Sequence, residues 1–498
     1  MPPKPLTRRQ MLALLGSVGA SAALGLWRPW EGAAPAFPVT IDGEDKSVGH
    51  RLRDGHRFDI PKPSRWVDAV VVGAGISGLT AAYVLRGADV LVIEKETVPG
   101  GHARKGTWNG ITYSEGAAYI SDTSGYVGTL IEELNIPLME IAEPGDAYWV
   151  GDRPVTAFWT DGAERLPFSD EARKAFRRFH ADMARLDIPP LPVENATATH
   201  LRADTRSFAD LLAPYGPEVL RYMDLYCRSA LGGPVAEVSA YWGLNFYSGE
   251  FAPRYTAPGG NAAYGEALAA AIGPERMVLG ATVIQVSNQG DKAWVTYAQG
   301  AETVTVEARA VVMACSKQIA KHVVAGLPPD QLQAMRTLRY EPYMVANVLI
   351  DGPGPRHAYD TWMPDADCVD VVVADWVNPD PLRRHSVLTA YCPLPHADRH
   401  RLLDDASVQA AGRGVVMALD RMHPGLAERV QGVRCYRRGH PMVLSGLGAV
   451  TRLRPLTTRP FGAIAFAHSD SQAAATLEAA VWEGRQKALH AQRLLRGS

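Results

Sequence analysis

The stretch Asp68-Ala69-Val70-Val71-Val72-Gly73-Ala74-Gly75-Ile76-Ser77-Gly78 decides the fold. Its three valines read as a buried parallel strand running straight into Gly-x-Gly-x-x-Gly. An apolar helical segment follows, Leu79 to Leu85. A second strand, Asp89 to Ile93, ends on Glu94. That order is a β-α-β unit. In such a unit Gly73 permits the tight turn, Gly75 lets the backbone approach a pyrophosphate, and Gly78 lets helix and strand pack closely. The helix N-terminus, entered through Ile76 and Ser77, favours negative charge, and Glu94 can accept hydrogen bonds from a ribose hydroxyl. The unit predicts dinucleotide binding in an α/β, Rossmann-like domain.

The residues after Glu94 narrow the choice of dinucleotide. Lys95-Glu96-Thr97-Val98-Pro99 leads into Gly100-Gly101-His102-Ala103-Arg104. A nicotinamide enzyme would continue its strand alternation here. This chain instead makes a Gly-Gly turn with basic residues close behind. The extended fingerprint resembles that of the FAD-dependent flavin amine oxidase superfamily, whose Gly-Gly segment passes close to the cofactor. The segment Ile111 to Ala117 is similar to that family's next turn. Pro258-Gly259-Gly260-Asn261, with Leu268, is similar to its re-entry into the FAD domain. A strand pair around Val278 to Val286 follows, and then Ala308 to Cys315. The resemblance implies that the strand at Val283 touches the adenine through its backbone. The closing piece, Ile464 to Asp470 with Thr476 to Gly484, looks like the family's last strand, acidic turn and helix. It implies that Asp470 holds the ribityl or pyrophosphate region and that the helix beginning at Leu477 faces the flavin. The resemblance covers the cofactor half specifically and the substrate half loosely. Within the superfamily, Gly-Gly-His-Ala-Arg most resembles bacterial spermidine dehydrogenase-like proteins.

The remaining organisation fits a Rossmann-like FAD-binding domain interleaved with an α+β substrate domain. The sequence predicts a linker or surface arm over 37–64 and cofactor-domain pieces over 65–123, 256–335 and 455–498. A mainly helical substrate piece spans 124–255, and a piece of strands and loops spans 336–454. With 498 residues, 47% of them hydrophobic, the chain can build two such cores. A net charge of −2 argues against a nucleic-acid or anionic-membrane surface. Five cysteines lack C-x-x-C spacing, so no zinc or iron–sulfur pattern exists.

The resemblance also frames the chemistry. The family uses an aromatic wall, a polar mouth and, in its oxidases, a lysine near the flavin. Tyr436, after Cys435, is the candidate wall. The second wall falls by spacing on Thr476, so Trp482 or Trp376 would have to supply an aromatic. Ala346 and Asn347 stand where the lysine belongs, which favours a carrier over oxygen as electron acceptor. His440 is a polar candidate facing the flavin or capping a turn. Asp365, Asp367, Asp370 and Asp375 form an acidic group that either attracts a polycation or is a solvated edge. Cys435 precedes Tyr436 as a flavin-linking cysteine does in monoamine oxidases, but with different flanking residues, so FAD is expected to be non-covalent. The expected activity is oxidation of an amine or polyamine, with electrons passed to a carrier or to oxygen. The alternative is a flavoprotein of the same fold that desaturates or isomerises an apolar substrate, or an FAD-binding assembly factor that does not turn over.

The first residues carry an address. Thr7-Arg8-Arg9-Gln10-Met11-Leu12 is a twin-arginine pattern, an uncharged run to Trp27 follows, and Ala34-Pro35-Ala36 offers a small-residue cleavage site. Residues 1–36 are therefore expected to be a signal peptide read by the twin-arginine translocase, giving a periplasmic protein. Replacing Arg8 and Arg9 together by lysine should leave flavin-loaded precursor in the cytoplasm. Unchanged periplasmic recovery of that double variant rejects the signal.

Overall fold

The valine runs that open the dinucleotide unit are covered on both faces, which is why they lack alternation. In the computed structural model, which describes residues 37–379 and 381–497, Arg65–Val72 and Val90–Ile93 pair in parallel with Ala69 opposite Val90. The twin-arginine segment lies outside the described residues. Glu302–Met313 flanks Arg65–Val72 on its other side, also parallel, and its last residues pair with Ile464–Phe466. Val71, Val92 and Val312 face the helices Ile76–Val84, Ala262–Ile272 and Leu477–Arg496. Val70, Leu91 and Val311 face a second layer holding Val286, Val295 and Met335.

Close approach sets the helices. A Cβ on Gly78 would lie 1.9 Å from the Gly73 carbonyl oxygen, and one on Gly484 would lie 2.3 Å from that of Ser77. The dinucleotide helix and the closing helix therefore cross backbone to backbone. The Ser77 hydroxyl also donates to the carbonyl of Ala467, beyond the closing strand.

The second sheet has eight strands, in the order Val39–Gly43, Val430–Val443, Tyr340–Asp351, His385–Pro393, Asp370–Val373, Asp360–Trp362, Asp146–Val150, Arg153–Thr156. Its outer face carries Met344, Ala346, Val348 and Cys435 under the helix Asp405–Met422. Its inner face carries Tyr343, Val345, Tyr391 and Tyr436 and packs on Ile111, Tyr113 and Ala118 of the cofactor half. An aromatic helical lobe built on Phe158, Phe176, Tyr222 and Trp242 closes one end.

Four expectations change. The 37–64 arm contributes a sheet strand, with Val39 opposite Val433, and a helix, Ser47–Arg53. Too few residues alternate there to show a strand without its partner. The helix Gly125–Glu133, assigned to the substrate piece, buries Val127 and Leu130 in the cofactor-side core. The 336–454 piece contains an 18-residue helix, Asp405–Met422, besides its strands. The hairpin joins Thr282–Gln289 to Lys292–Gln299, later than the Val278–Val286 region suggested.

One buried node ties the halves together. Lys317 Nζ and Asp470 form an ion pair with both side chains fully enclosed. The Lys317 backbone N–H donates to the same carboxylate at 2.8 Å, and the Tyr340 hydroxyl, at the start of a substrate-sheet strand, donates at 2.6 Å. Breaking a buried pair strands its partner, at about 3–5 kcal/mol. Lys317→Met should therefore lower the melting temperature strongly, and adding Asp470→Asn should recover part of the loss. A Lys317→Met protein that melts with wild type refutes the node's weight.

Candidate active site

The adenosine end is built on the first turn. Gly73 has φ +101°, and Gly75 caps the helix with extended backbone. A Cβ on Gly75 would meet nothing nearer than the Gly101 Cα, at 3.9 Å. The space over the helix N-terminus is thus open, as a pyrophosphate requires. Gly75 and Gly100 form a parallel bridge, and the Gly100 N–H donates to the Ala74 carbonyl at 2.8 Å. This brings the second glycine turn against the first. Glu94 is buried and accepts from the N–H groups of Ala74 at 2.6 Å and Glu96 at 2.9 Å. Burial raises its carboxyl above the ordinary range. Its carbonyl accepts from Ala281 at 2.8 Å, which sets Val283 beside the acid strand's end. These residues fit a dinucleotide: an open helix N-terminus, a buried acid held by backbone, and a strand edge for a base.

The other end converges on Gly101. Arg438 Nη2 donates to the Gly101 carbonyl at 3.4 Å, and Arg438 lies 3.6 Å from Glu44. Glu44 also reaches His102 at 3.3 Å and Lys95 at 3.7 Å. Burial would raise its carboxyl, but Lys95, His102 and Arg438 prevail and hold it well below the usual range. Burial, then Arg438, lowers the His102 imidazole, which stays neutral near pH 7. The His102 and Lys95 side chains remain 39% and 36% accessible, so this end of the cofactor groove opens to solvent. Arg104 makes a 3.5 Å ion pair with Glu115.

At Asp470, burial would raise the carboxyl, but Lys317 and His468 hold it far below the ordinary range. Its oxygens are engaged by Lys317 and Tyr340, so it anchors the turn that faces the groove. Thr476 is the cap of the closing helix, its hydroxyl accepting from the Ala479 N–H at 3.1 Å, and Leu477 packs in the cofactor-side core. A helix cap therefore stands where a second aromatic wall was expected. Trp376 does not replace it: its indole donates to the Ala142 carbonyl at 3.0 Å and lies under Arg356. Trp482 sits within the closing helix with its indole nitrogen buried and unpartnered.

Tyr436 and Arg438 share the inner face of their strand. Tyr436 packs among Ile111, Tyr113 and Val345, with the Glu115 carboxyl nearby. His440 lies in a bulge, because Tyr343 pairs with Arg438 while Glu341 pairs with Met442. Pro342 and Pro441 lack N–H groups there, so the ladder cannot continue. Burial and Arg399 push the His440 imidazole down to about 4, and its Nδ1 has no partner. Cys435 points to the outer face, where a Cβ on Gly412 would lie 2.8 Å from its sulfur. It is turned away from the groove, consistent with non-covalent FAD. Ala346 is also on the outer face, whereas Asn347 accepts from the Thr389 hydroxyl at 2.7 Å.

The predicted acidic group does not hold together. Asp365 is exposed and pairs with Arg221 at 2.6 Å, and Asp375 is buried against Arg356 and Ser386. Asp370 belongs instead to a buried carboxyl cluster that sequence reading missed. There Asp146 and Arg254 make a two-contact ion pair of 2.8 and 2.9 Å. Glu250 lies in hydrogen-bond reach of Asp146. Asp360 is fully buried with neither oxygen hydrogen-bonded. Asp370 accepts from Ser229 at 2.7 Å. Tyr119 stacks under Arg254 at 5.5 Å and edges Tyr359 at 5.9 Å. Tyr359 also lines a small cavity of about 10 Å³ with Tyr113, Ala118, Gly260 and Thr389, between the inner face and the cofactor half.

The two fingerprint glycines should respond differently. Gly75→Ala meets no protein atom closer than ordinary contact, so the variant should fold and lose FAD affinity. Gly78→Ala must displace the Gly73 carbonyl, so it should yield little folded protein. Full flavin content in Gly75→Ala, or normal yield in Gly78→Ala, contradicts the assignment of their roles.

Comparison with known proteins agrees with this geometry. Residues 76–490 match the family model "Flavin containing amine oxidoreductase". Oxidoreductase PigB of Serratia sp. (strain ATCC 39006) is 23% identical over 501 residues, spanning 84% of this chain and 74% of PigB. Wild-type putrescine oxidase, solved with putrescine, superposes with a TM-score of 0.67 at 21% identity, over 85% of this chain and 98% of that one. Cyclohexylamine oxidase from Brevibacterium oxydans IH-35A gives 0.68 at 21% identity, over 86% and 99%. These two likenesses show the fold. With the family matched across most of its length and the glycine turns, buried acid and closing helix in place, the chain belongs to the flavin containing amine oxidoreductases and is an FAD-dependent oxidoreductase.

Proposed function

We propose that the protein is an exported amine dehydrogenase. The observation that carries the reading is the inner sheet face at the groove, where Tyr436 and Arg438 stand beside the Gly100–Gly101 turn and no lysine is present in Tyr340–Asp351. Bound FAD would supply a two-electron acceptor for the hydride on the carbon beside a neutral amine nitrogen, which would leave an iminium cation. The chain's task is then to bind, orient and keep dry. Tyr436 walls the site and is held by packing among Ile111, Tyr113 and Val345. Tyr343 and Tyr391 extend the wall, and the Tyr391 hydroxyl donates to the Gly116 carbonyl at 2.8 Å. His102 and His440, both kept neutral near pH 7, add no positive charge that would repel an amine. Asn347, held by Thr389, occupies the place of the lysine that assists oxygen in the family's oxidases, which supports a periplasmic carrier as acceptor.

The two half-reactions test the reading separately. Tyr436→Ala should keep its FAD, while anaerobic reduction of the flavin by the best amine slows on the order of a hundredfold, since one misplaced contact costs that much. Tyr436→Phe should be mild. Reoxidation should be slower in air than with an artificial acceptor. An unchanged reductive rate in Tyr436→Ala removes the wall, and rapid reoxidation by air removes the preference for a carrier. If no amine bleaches the flavin, amine oxidation itself is excluded.

A further inference from the structure

The N-terminal arm takes no part in the dinucleotide unit or in the hydride step, yet it runs from the substrate sheet to both turns that border the cofactor groove. We infer that residues 39–53 are a strap over the FAD site, and that its fastening at Glu44 sets how fast the cofactor leaves. The inference rests on FAD binding alone and is independent of the amine reading.

The strap is anchored at its start. Val39–Gly43 pairs in parallel with Val430–Val443, from Val39 opposite Val433 to Gly43 opposite Arg437. A Cβ on Gly43 would lie 2.5 Å from the Arg437 carbonyl oxygen, so a glycine is needed where the arm leaves the sheet. Tyr436 and Arg438, the groove residues of the partner strand, flank that exit.

The next two residues reach the cofactor half. Glu44 lies 3.7 Å from Lys95, 3.3 Å from His102 and 3.6 Å from Arg438. The Asp45 N–H donates to Glu96 Oε1 at 3.1 Å, and Lys95 Nζ donates to the Asp45 carbonyl at 3.4 Å. Lys95 and Glu96 directly follow Glu94, the buried acid that accepts from the Ala74 N–H. His102 directly follows Gly101, where a Cβ would lie 3.0 Å from the Gly75 Cα. Gly75, whose open side suits the pyrophosphate, is the residue between: it follows Ala74 and touches Gly101. The fastening therefore joins the two turns on which the cofactor depends.

This joint can open without unfolding the protein. Glu44, Lys95 and His102 are partly exposed, and pairs of that kind are individually weak and screened by salt. Val39–Gly43 is an edge strand, with a partner on one side. The helix Ser47–Arg53 has no fully buried residue and no side-chain cap at its N-terminus, and Leu52 packs against the core without being enclosed. Segments with few buried apolar contacts open locally at a cost far below that of global unfolding. Beneath the strap, the Gly78 and Gly484 crossings and the Lys317–Asp470 pair are enclosed. Opening the strap thus frees the groove while both cores stay folded.

The test uses the FAD-loaded enzyme. Release is followed by flavin fluorescence after dilution into excess phosphodiesterase, which hydrolyses free FAD and prevents rebinding. Glu44→Gln should release FAD about tenfold faster than wild type, since three weak contacts are lost together. Raising salt from about 0.05 to 0.5 M should speed release in wild type and change it little in Glu44→Gln. Thr40→Pro removes a backbone donor from the strand, four residues before the fastening, and should speed release likewise. If Thr40→Pro does not fold, Ile41→Gly weakens the same strand and takes its place. Unchanged release in Glu44→Gln overturns the strap, even where the melting temperature falls. Slower release also overturns it, because the carboxylate then only competes with the pyrophosphate for Lys95 and Arg438. Faster release in Glu44→Gln combined with wild-type release in the strand variant reduces Glu44 to a local contact and overturns the strap as well.

Discussion

A lysine ammonium and a carboxylate, Lys317 and Asp470, meet where solvent reaches neither, and three separate pieces of chain depend on that meeting. Asp470 closes the cofactor domain, Lys317 begins the helix that follows its long strand, and Tyr340 begins a central strand of the substrate sheet. A buried pair is no bargain in free energy, because desolvation consumes most of the Coulomb gain. Its effect is on geometry. Each partner is costly to leave alone, so the three pieces come together in one arrangement.

Glu44 does for the N-terminal arm what Asp470 does for the C-terminal piece. The arm's strand, Val39–Gly43, lies on the edge of the substrate sheet, yet the next residue reaches Lys95, beside Glu94, and His102 and Arg438, beside the Gly-Gly turn. One carboxylate thus touches both ends of the cofactor groove and both sheets. The arm follows directly on the segment read as an export signal. The strand Val39–Gly43 gains its pairing energy only when Val430–Val443 lies alongside it.

The cofactor half was legible because its signals are local. Gly73 to Glu94 encodes strand, turn, helix and acid within one stretch, and the closing strand and helix are equally compact. The crossing of Gly484 over Ser77 and of Gly78 over Gly73 explains those glycines after the fact. What escaped reading is what depends on partners far along the chain. Val39–Gly43 is a strand only because Val433–Arg437 lies alongside it. Lys317 gives no sign in sequence that it will be buried, since a lone lysine is usually solvated. Thr476 read as a missing aromatic, while its cap geometry shows why a small hydroxyl residue stands there. The acids were grouped by proximity in sequence, as Asp365, Asp367, Asp370 and Asp375. The structure groups Asp370 instead with Glu250, Asp360 and Asp146, drawn from separate strands and a turn.

That regrouping matters because carboxyls collected from distant positions are not an accident of one loop's composition. Asp146, Asp360 and Asp370 come from three strands of one sheet, and Glu250 from the helical lobe that covers it. Packing alone would favour apolar residues at such sites, since burying like charges together costs free energy and raises each carboxyl's affinity for protons. Sequences agree with their folds at nearly every level, and the places where they disagree tend to be functional. The buried carboxyls Glu250, Asp360 and Asp370 are the sharpest departure, since Asp360 is fully enclosed with neither oxygen hydrogen-bonded.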